Sequence, residues 1–250
     1  MSETQIIPGA EPYYHIGNRI GVLVSHGYTG CPQSMRYIAE GLAKEGFSVI
    51  LPRLKGHGTS PADMATATAS DWTTDILTAY GWLKERCDHI FMTGLSMGGT
   101  LTLVAAGLNP EGFSGIIPIN ASVILNNPDL LGLAFLPGMP SEIPGIGSDI
   151  KAPGITEIAY PVVPVPTIKE VLALTKGADE LMARITCPAL IFSSTEDHVV
   201  PPMNAEYILN KLSSAEKRIV KLENSYHVAT LDNDKDLILQ ESIAFIKAHS

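Results

Sequence analysis

His89-Ile90-Phe91-Met92-Thr93-Gly94-Leu95-Ser96-Met97-Gly98-Gly99-Thr100 joins an apolar, β-prone run to a segment of small residues through the pattern Gly-x-Ser-x-Gly. By composition alone that pattern arises in roughly one chain in ten of this length, at usual glycine and serine frequencies of about 7% each. Its flanks make it informative. His89 to Thr93 reads as a strand leading straight into it, and a helix is expected from near Met97, which is the strand-turn-helix setting of a nucleophile elbow. The glycines have a steric purpose: a serine held in a strained turn leaves no room two residues either side, and Gly94 and Gly98 remove the colliding side chains. Ser96 Oγ is then expected at the carboxyl edge of a sheet, beside unpaired helix N–H groups that favour developing negative charge.

Outward from this stretch, strand and helix patterns alternate. Ile20 to Ser25 is a short, β-branched apolar run ending in His-Gly, suited to a strand buried on both faces. Pro32 opens a segment with Met35, Ile38, Ala39, Leu42 and Ala43 at helical spacing, and Gly46 closes it. Phe47 to Leu51 reads as strand, and Asp71 as the cap of a helix through Arg86 with Trp72, Ile76, Ala79 and Leu83 on one face. Gly115 to Ile119, Ala189 to Ser193 and Lys217 to Leu222 supply three more strands, and Asp234 to Ala248 a last helix. Such alternation predicts an α/β fold, a mostly parallel sheet with helices on both faces.

One interval, Asn120 to Thr186, is far longer than an ordinary crossover. Eight of the eighteen prolines fall between Ala121 and Thr175, together with Leu130, Leu131, Leu133, Phe135, Leu136 and Ile146. A compact cap over about 121–180 is expected, within a single domain spanning residues 1–250. The six apolar side chains are expected either to pack that cap down or to line a channel for an aliphatic chain.

Composition narrows the function. Acidic residues outnumber Lys and Arg 26 to 17, for a formal charge of −9, which excludes a nucleic-acid surface built on clustered cations. Cys31, Cys87 and Cys187 are odd in number and widely spaced, so neither a disulfide framework nor a zinc site is expected. No cofactor or metal motif is present in the sequence. The amino terminus lacks a positive start followed by an apolar core, and no apolar run approaches the length of a membrane span, so a cytoplasmic location without stable membrane insertion is expected.

A serine hydroxyl needs a neighbouring base, usually a histidine oriented by a carboxylate. In a fold entered through such an elbow, the order along the chain is Ser, then Asp or Glu, then His, each on a loop after a strand. After the strand Ala189 to Ser193 comes Ser194-Thr195-Glu196-Asp197-His198, and after Lys217 to Leu222 comes Asn224-Ser225-Tyr226-His227. Among seven histidines, His15, His89 and His249 lie away from the expected carboxyl-edge loops. His26 and His57 precede Ser96 and His198 adjoins the acid, leaving His227 as base and Asp197 as its orienter, with Glu196 the rival acid. Tetrahedral intermediates also need backbone donors for the oxyanion. Met97 N–H supplies one, and His26-Gly27-Tyr28-Thr29-Gly30, after the strand Ile20 to Ser25, offers Tyr28 N–H as the other.

HGYTG, PRLKGHGT, GLSMGGTLTL, EDHVVPP and NSYHVATLD together resemble the bacterial monoacylglycerol lipases and their carboxylesterase relatives, nearly end to end. The resemblance implies an α/β-hydrolase fold with a small cap inserted after the sixth strand. It also implies hydrolysis of glycerol esters carrying one acyl chain, with Ser96, Asp197 and His227 catalytic and Tyr28 and Met97 in the oxyanion hole. Tyr28 stands where the resemblance leads one to expect Phe, so its phenol is expected to narrow the pocket or add a hydrogen bond. Ser122 to Pro144 resembles the family poorly, whereas Ile146-Gly147-Ser148-Asp149 and Glu157-Ile158-Ala159-Tyr160 match again. Ile146 and Glu157 are accordingly candidate substrate contacts, Glu157 for glycerol hydroxyls. The implied partner is a small lipid ester, met in transient contact with lipid surfaces by a monomer or dimer. Sequence leaves a broad-specificity carboxylesterase, acyl transfer, thioester or amide cleavage, and a non-catalytic ligand receptor as alternatives.

Overall fold

The computed structural model describes residues 5–125 and 127–250. In chain order the first half runs β1 (Tyr13–His15), β2 (Ile20–Ser25), α1 (Gln33–Lys44), β3 (Ser48–Leu51), α2 (Pro61–Met64), α3 (Ala69–Lys84), β4 (His89–Leu95), α4 (Met97–Leu108) and β5 (Gly115–Ile119). It continues with α5 (Pro128–Phe135), β6 (Glu142–Pro144), β7 (Val162–Pro164), α6 (Ile168–Leu181), β8 (Ala189–Ser194), α7 (Met203–Lys211), β9 (Lys217–Leu222) and α8 (Lys235–Ala248).

Seven strands form the main sheet in the order β1-β3-β2-β4-β5-β8-β9, and only β1, paired to β3, runs antiparallel. The six strands read from the sequence are all there, and β1 is an addition that its three residues were too short to signal. Alternation along each inner strand loads both faces. Val22 and Val24 point with Phe91 and Ile117 into a core closed by α1 and α8, while Leu23, Ile90, Met92 and Ile116 point into the opposite core under α3, α4 and α7. Each fully buried aliphatic side chain contributes about 1.5–3 kcal/mol.

Local detail differs in one helix start: Thr68 caps α3, and Asp71 is its third residue, whose carboxylate returns a bond to the Thr68 N–H in a capping box. The long excursion holds α5 and a two-stranded β6–β7 hairpin, and its last helix, α6, sends Leu174 and Ala178 back into the main core. In chain order it leaves the sheet after the fifth strand, where the resemblance implied the sixth, because a single short strand precedes β2. From β2 the chain turns outward to β3 and returns on the other side as β4, so the carboxyl ends of β2 and β4 flank a topological switch point, the natural crevice of an open α/β sheet.

Candidate active site

Ser96 sits at that crevice with φ 56° and ψ −119°, a left-handed conformation forced on a non-glycine residue. Its neighbours show why only glycine fits beside it. A Cβ on Gly94 would lie 2.3 Å from Gly98 O, and one on Gly98 would lie 2.4 Å from Ser25 O. The Ser96 N–H is held by Ile119 O at 2.9 Å, which anchors the turn to β5. Among the described residues Ser96 Oγ makes no hydrogen bond, and it opens into a cavity of about 190 Å³.

His227 shares that cavity, and its Nδ1 lies 2.8 Å from Asp197 Oδ2, with both side chains almost wholly buried. An ionised carboxylate only accepts, so the ring donates from Nδ1 and leaves Nε2 free as an acceptor. Asp197 Oδ1 takes the N–H groups of Val199 at 2.9 Å and Val200 at 2.7 Å, fixing the acid on its loop. Glu196, the rival acid, is half exposed and faces Lys151 at 3.4 Å. Asp197, not Glu196, reaches the histidine. Asn120, at φ 44° just beyond β5, joins both loops: its amide donates to Ser194 Oγ at 2.9 Å and His227 O at 2.8 Å, and its Oδ1 accepts the Ser194 N–H at 2.8 Å.

Gly27 abuts the nucleophile, for a Cβ there would lie 3.4 Å from Ser96 Cβ. Neither Tyr28 N–H nor Met97 N–H has an acceptor among the described residues, and both residues line the cavity with Ser96. The Tyr28 phenol adds the hydrogen bond foreseen for it, to the Thr167 hydroxyl, whose own donor goes to Pro164 O at 2.7 Å. Burial pushes the phenol up to about 12. His26 and His57 support this loop from beneath as neutral rings, since burial drives His26 well below its ordinary value and His57 down to about 4. His26 Nδ1 lies 2.9 Å from Gly27 O and its Nε2 accepts the Leu54 N–H at 3.2 Å.

The remaining lining is largely apolar, and Leu130, Ile143, Ile146, Val163 and Leu172 contribute to it. Of the six apolar side chains noted in the sequence, Leu130 and Ile146 line the cavity and Leu133 packs in a small cluster with Val163, Val165 and Ile168. Leu131, Phe135 and Leu136 do neither: they are 48%, 66% and 61% exposed, because α6 and the Val165–Thr167 turn before it cover only one face of α5. Glu157 turns its carboxyl inward, where a Cβ on Gly30 would lie 2.5 Å from Oε1. Burial pushes that carboxyl up to about 7, against the pull of His227 and the Ser34 hydroxyl.

Sequence reasoning missed Asn120, Thr167 and Asp149. A polar residue directly after β5, at the same sheet edge as Ser96, was the signal available for Asn120.

Comparison with known proteins shows the family of the chain. The model of the family Hydrolase_4, described as serine aminopeptidase, S33, matches residues 18–142 and 158–234. The thermostable monoacylglycerol lipase of Bacillus sp. (strain H-257) is 48% identical over 252 aligned residues, covering 100% of both chains. The carboxylesterase of Bacillus subtilis (strain 168) is 25% identical across 95% of this chain and 96% of its own. A solved structure from work on LipS and LipT, two metagenome-derived lipolytic enzymes, superposes with a TM-score of 0.97 at 62% identity, covering 98% of this chain and 100% of that one. With its parallel sheet, its elbow and a match that spans most of its length, the chain belongs to the Hydrolase_4 serine hydrolases, with the α/β-hydrolase fold and a monoacylglycerol lipase and carboxylesterases among its relatives.

Proposed function

We propose that this protein cleaves monoacylglycerols to fatty acid and glycerol through Ser96, His227 and Asp197, as a single domain in which 121–180 forms a cap over the site. The observation that carries it is the juxtaposition in one narrow apolar cavity of a strained serine, a histidine bonded to a buried aspartate, and the inward-turned carboxyl of Glu157. The apolar wall suits one acyl chain and Glu157 suits a hydroxylated head group. The 48% identity to a monoacylglycerol lipase supports the same substrate class.

In this reading Ser96 Oγ attacks the ester carbonyl while His227 Nε2 takes its proton, and Asp197 stabilises the imidazolium. Tyr28 N–H and Met97 N–H receive the oxyanion. As the carbon–oxygen bond breaks, His227 returns the proton to the departing glycerol oxygen. Water then attacks the acyl-enzyme by the same route and restores Ser96. Substrate binding closes the Ser96–His227 contact, as is common for catalytic bonds that are long in the empty enzyme.

A hydrolysis panel of mono-, di- and triacylglycerols and fatty methyl esters tests the substrate class. Monoacylglycerol is expected to be favoured, and strong turnover of triacylglycerol emulsions overturns that preference. Glu157→Gln is expected to lower the preference for monoacylglycerol over methyl ester by about tenfold, the worth of one hydrogen bond at ~1.4 kcal/mol. An unchanged ratio removes Glu157 from head-group recognition. The same variant has a stability signature. The folded carboxyl holds its proton up to about 7 against an ordinary 4.5, so native stability falls as pH rises through that window. The Gln variant lacks this fall, and its melting temperature relative to native rises between those two values and levels off above.

For partners we infer transient contact with lipid surfaces through Leu131, Phe135 and Leu136, and a cytoplasmic location. Among the described residues no helix is long and apolar enough to cross a membrane. Changing all three residues to Ser is expected to abolish sedimentation with phosphatidylcholine vesicles while sparing hydrolysis of a short soluble ester. Equal sedimentation of variant and native protein rejects this surface.

A further inference from the structure

Asp149 stands at the end of the irregular segment Ile146-Gly147-Ser148-Asp149, where the excursion passes over the catalytic loops. Its carboxylate gathers donors from two of them. Oδ2 accepts the backbone N–H of His227 at 3.1 Å and of His198 at 3.2 Å, and Oδ1 lies 2.8 Å from His198 Nδ1. His198 directly follows Asp197, so one side chain touches the loop of the acid and the main chain of the base. The backbone around Asp149 is stitched down as well. Asp149 O accepts the Val228 N–H at 3.0 Å, and Asp232 takes the N–H groups of Lys151 at 2.7 Å, Ala152 at 2.9 Å and Tyr226 at 2.9 Å.

We propose that Asp149 is a positioning residue whose carboxylate clamps the Asp197 loop to the His227 loop and so sets where the imidazole stands relative to Ser96. The inference rests on the triad proposed above. An acceptor-only group with several lone pairs is suited to the task, because it can hold N–H donors arriving from two segments at once. Neither loop belongs to a strand or helix at these positions, so neither is fixed by ladder bonds of its own. The charged groups facing the clamp are His198, Glu196, whose Oε1 lies 3.7 Å from His198 Nε2, and Lys151, which pairs with Glu196. Burial opposes ionisation of Asp149, but the His198 ring and the two backbone donors together hold its carboxyl below the usual carboxylate range. It therefore stays charged near neutral pH. Because Asp149 comes from the excursion, a displaced cap displaces the base with it, and a shift of about 1 Å in a catalytic group costs on the order of 10² in rate.

The experiment compares native protein with Asp149→Ala and Asp149→Asn, counting competent sites with a serine-directed fluorophosphonate and measuring kcat and KM on a short, soluble aryl ester. Per labelled serine, kcat is expected to fall about 10–100-fold for Ala and about 3–10-fold for Asn, which retains one acceptor, with KM within about twofold. A purely structural Asp149 lowers the melting temperature and the number of labelled sites but not kcat per site. That result, with both variants within about twofold of native per labelled serine, overturns the clamp while leaving the triad intact. If the Ala variant does not fold, the Asn variant decides by the same criterion. Native protein that turns over the ester without labelling overturns the triad reading itself and is distinguished in the first step.

Discussion

Ser96→Ala is expected to lower kcat by about 10⁴ to 10⁶-fold on both monoacylglycerol and a simple aryl ester, with little change in melting temperature. The size follows from the loss of the covalent route: without the hydroxyl only the oxyanion donors and substrate binding remain, worth about 10³ to 10⁴ over water. The fold is spared because the hydroxyl makes no hydrogen bond among the described residues, and Ala keeps the Cβ that the turn already accommodates. Steady-state kinetics with a melting curve on the same sample checks both halves. Residual turnover near the native rate, with folding intact, removes Ser96 from the chemistry.

Gly98→Ala is expected to damage both stability and rate. The added Cβ would stand 2.4 Å from Ser25 O and 2.7 Å from His26 O, distances that real Cβ atoms do not show. Both oxygens are main chain at the end of β2, so no rotamer change relieves the clash, and α4 must move away from the strand. Overpacking of this kind costs about 1–3 kcal/mol or more, and for a chain of this size about 2–4 °C in Tm per kcal/mol. The displaced elements carry Ser96 on one side and the Gly27–Tyr28 loop on the other, so kcat is expected to fall about 10²-fold through lost alignment. Gly81→Ala serves as the control, since nothing lies within 4 Å of its added Cβ. If Gly98→Ala melts and turns over like native protein, the elbow is not set by this contact.

The two substitutions probe different levels of what the chain encodes. Gly94, Ser96 and Gly98 are legible in the sequence because their constraint is local, a turn too tight for side chains between a strand and a helix. The strands Ile20–Ser25, Gly115–Ile119 and Lys217–Leu222 match the sequence reading residue for residue, the first two because apolar runs bounded by turn signals carry their own evidence. The helix start at Thr68 was misplaced by three residues because Thr and Asp both cap well and only geometry shows which side chain is outside the first turn.

Chain order and loop position marked Ser96, His227 and the Glu196–Asp197 pair as candidates, because each follows a strand that the sequence pattern already marks. Only the tertiary structure shows that Asp197 and not Glu196 lies against His227, since no periodicity separates adjacent carboxylates. It alone revealed Asn120 and Asp149, whose partners lie 107 and 78 positions away along the chain. It also put Leu131, Phe135 and Leu136 outside, although their composition spoke for burial. The physical reason is common to all of these. Sterics and periodicity act between near neighbours and are written into short stretches of sequence, whereas exposure and hydrogen bonding depend on which distant segments the folded sheet brings to the same edge.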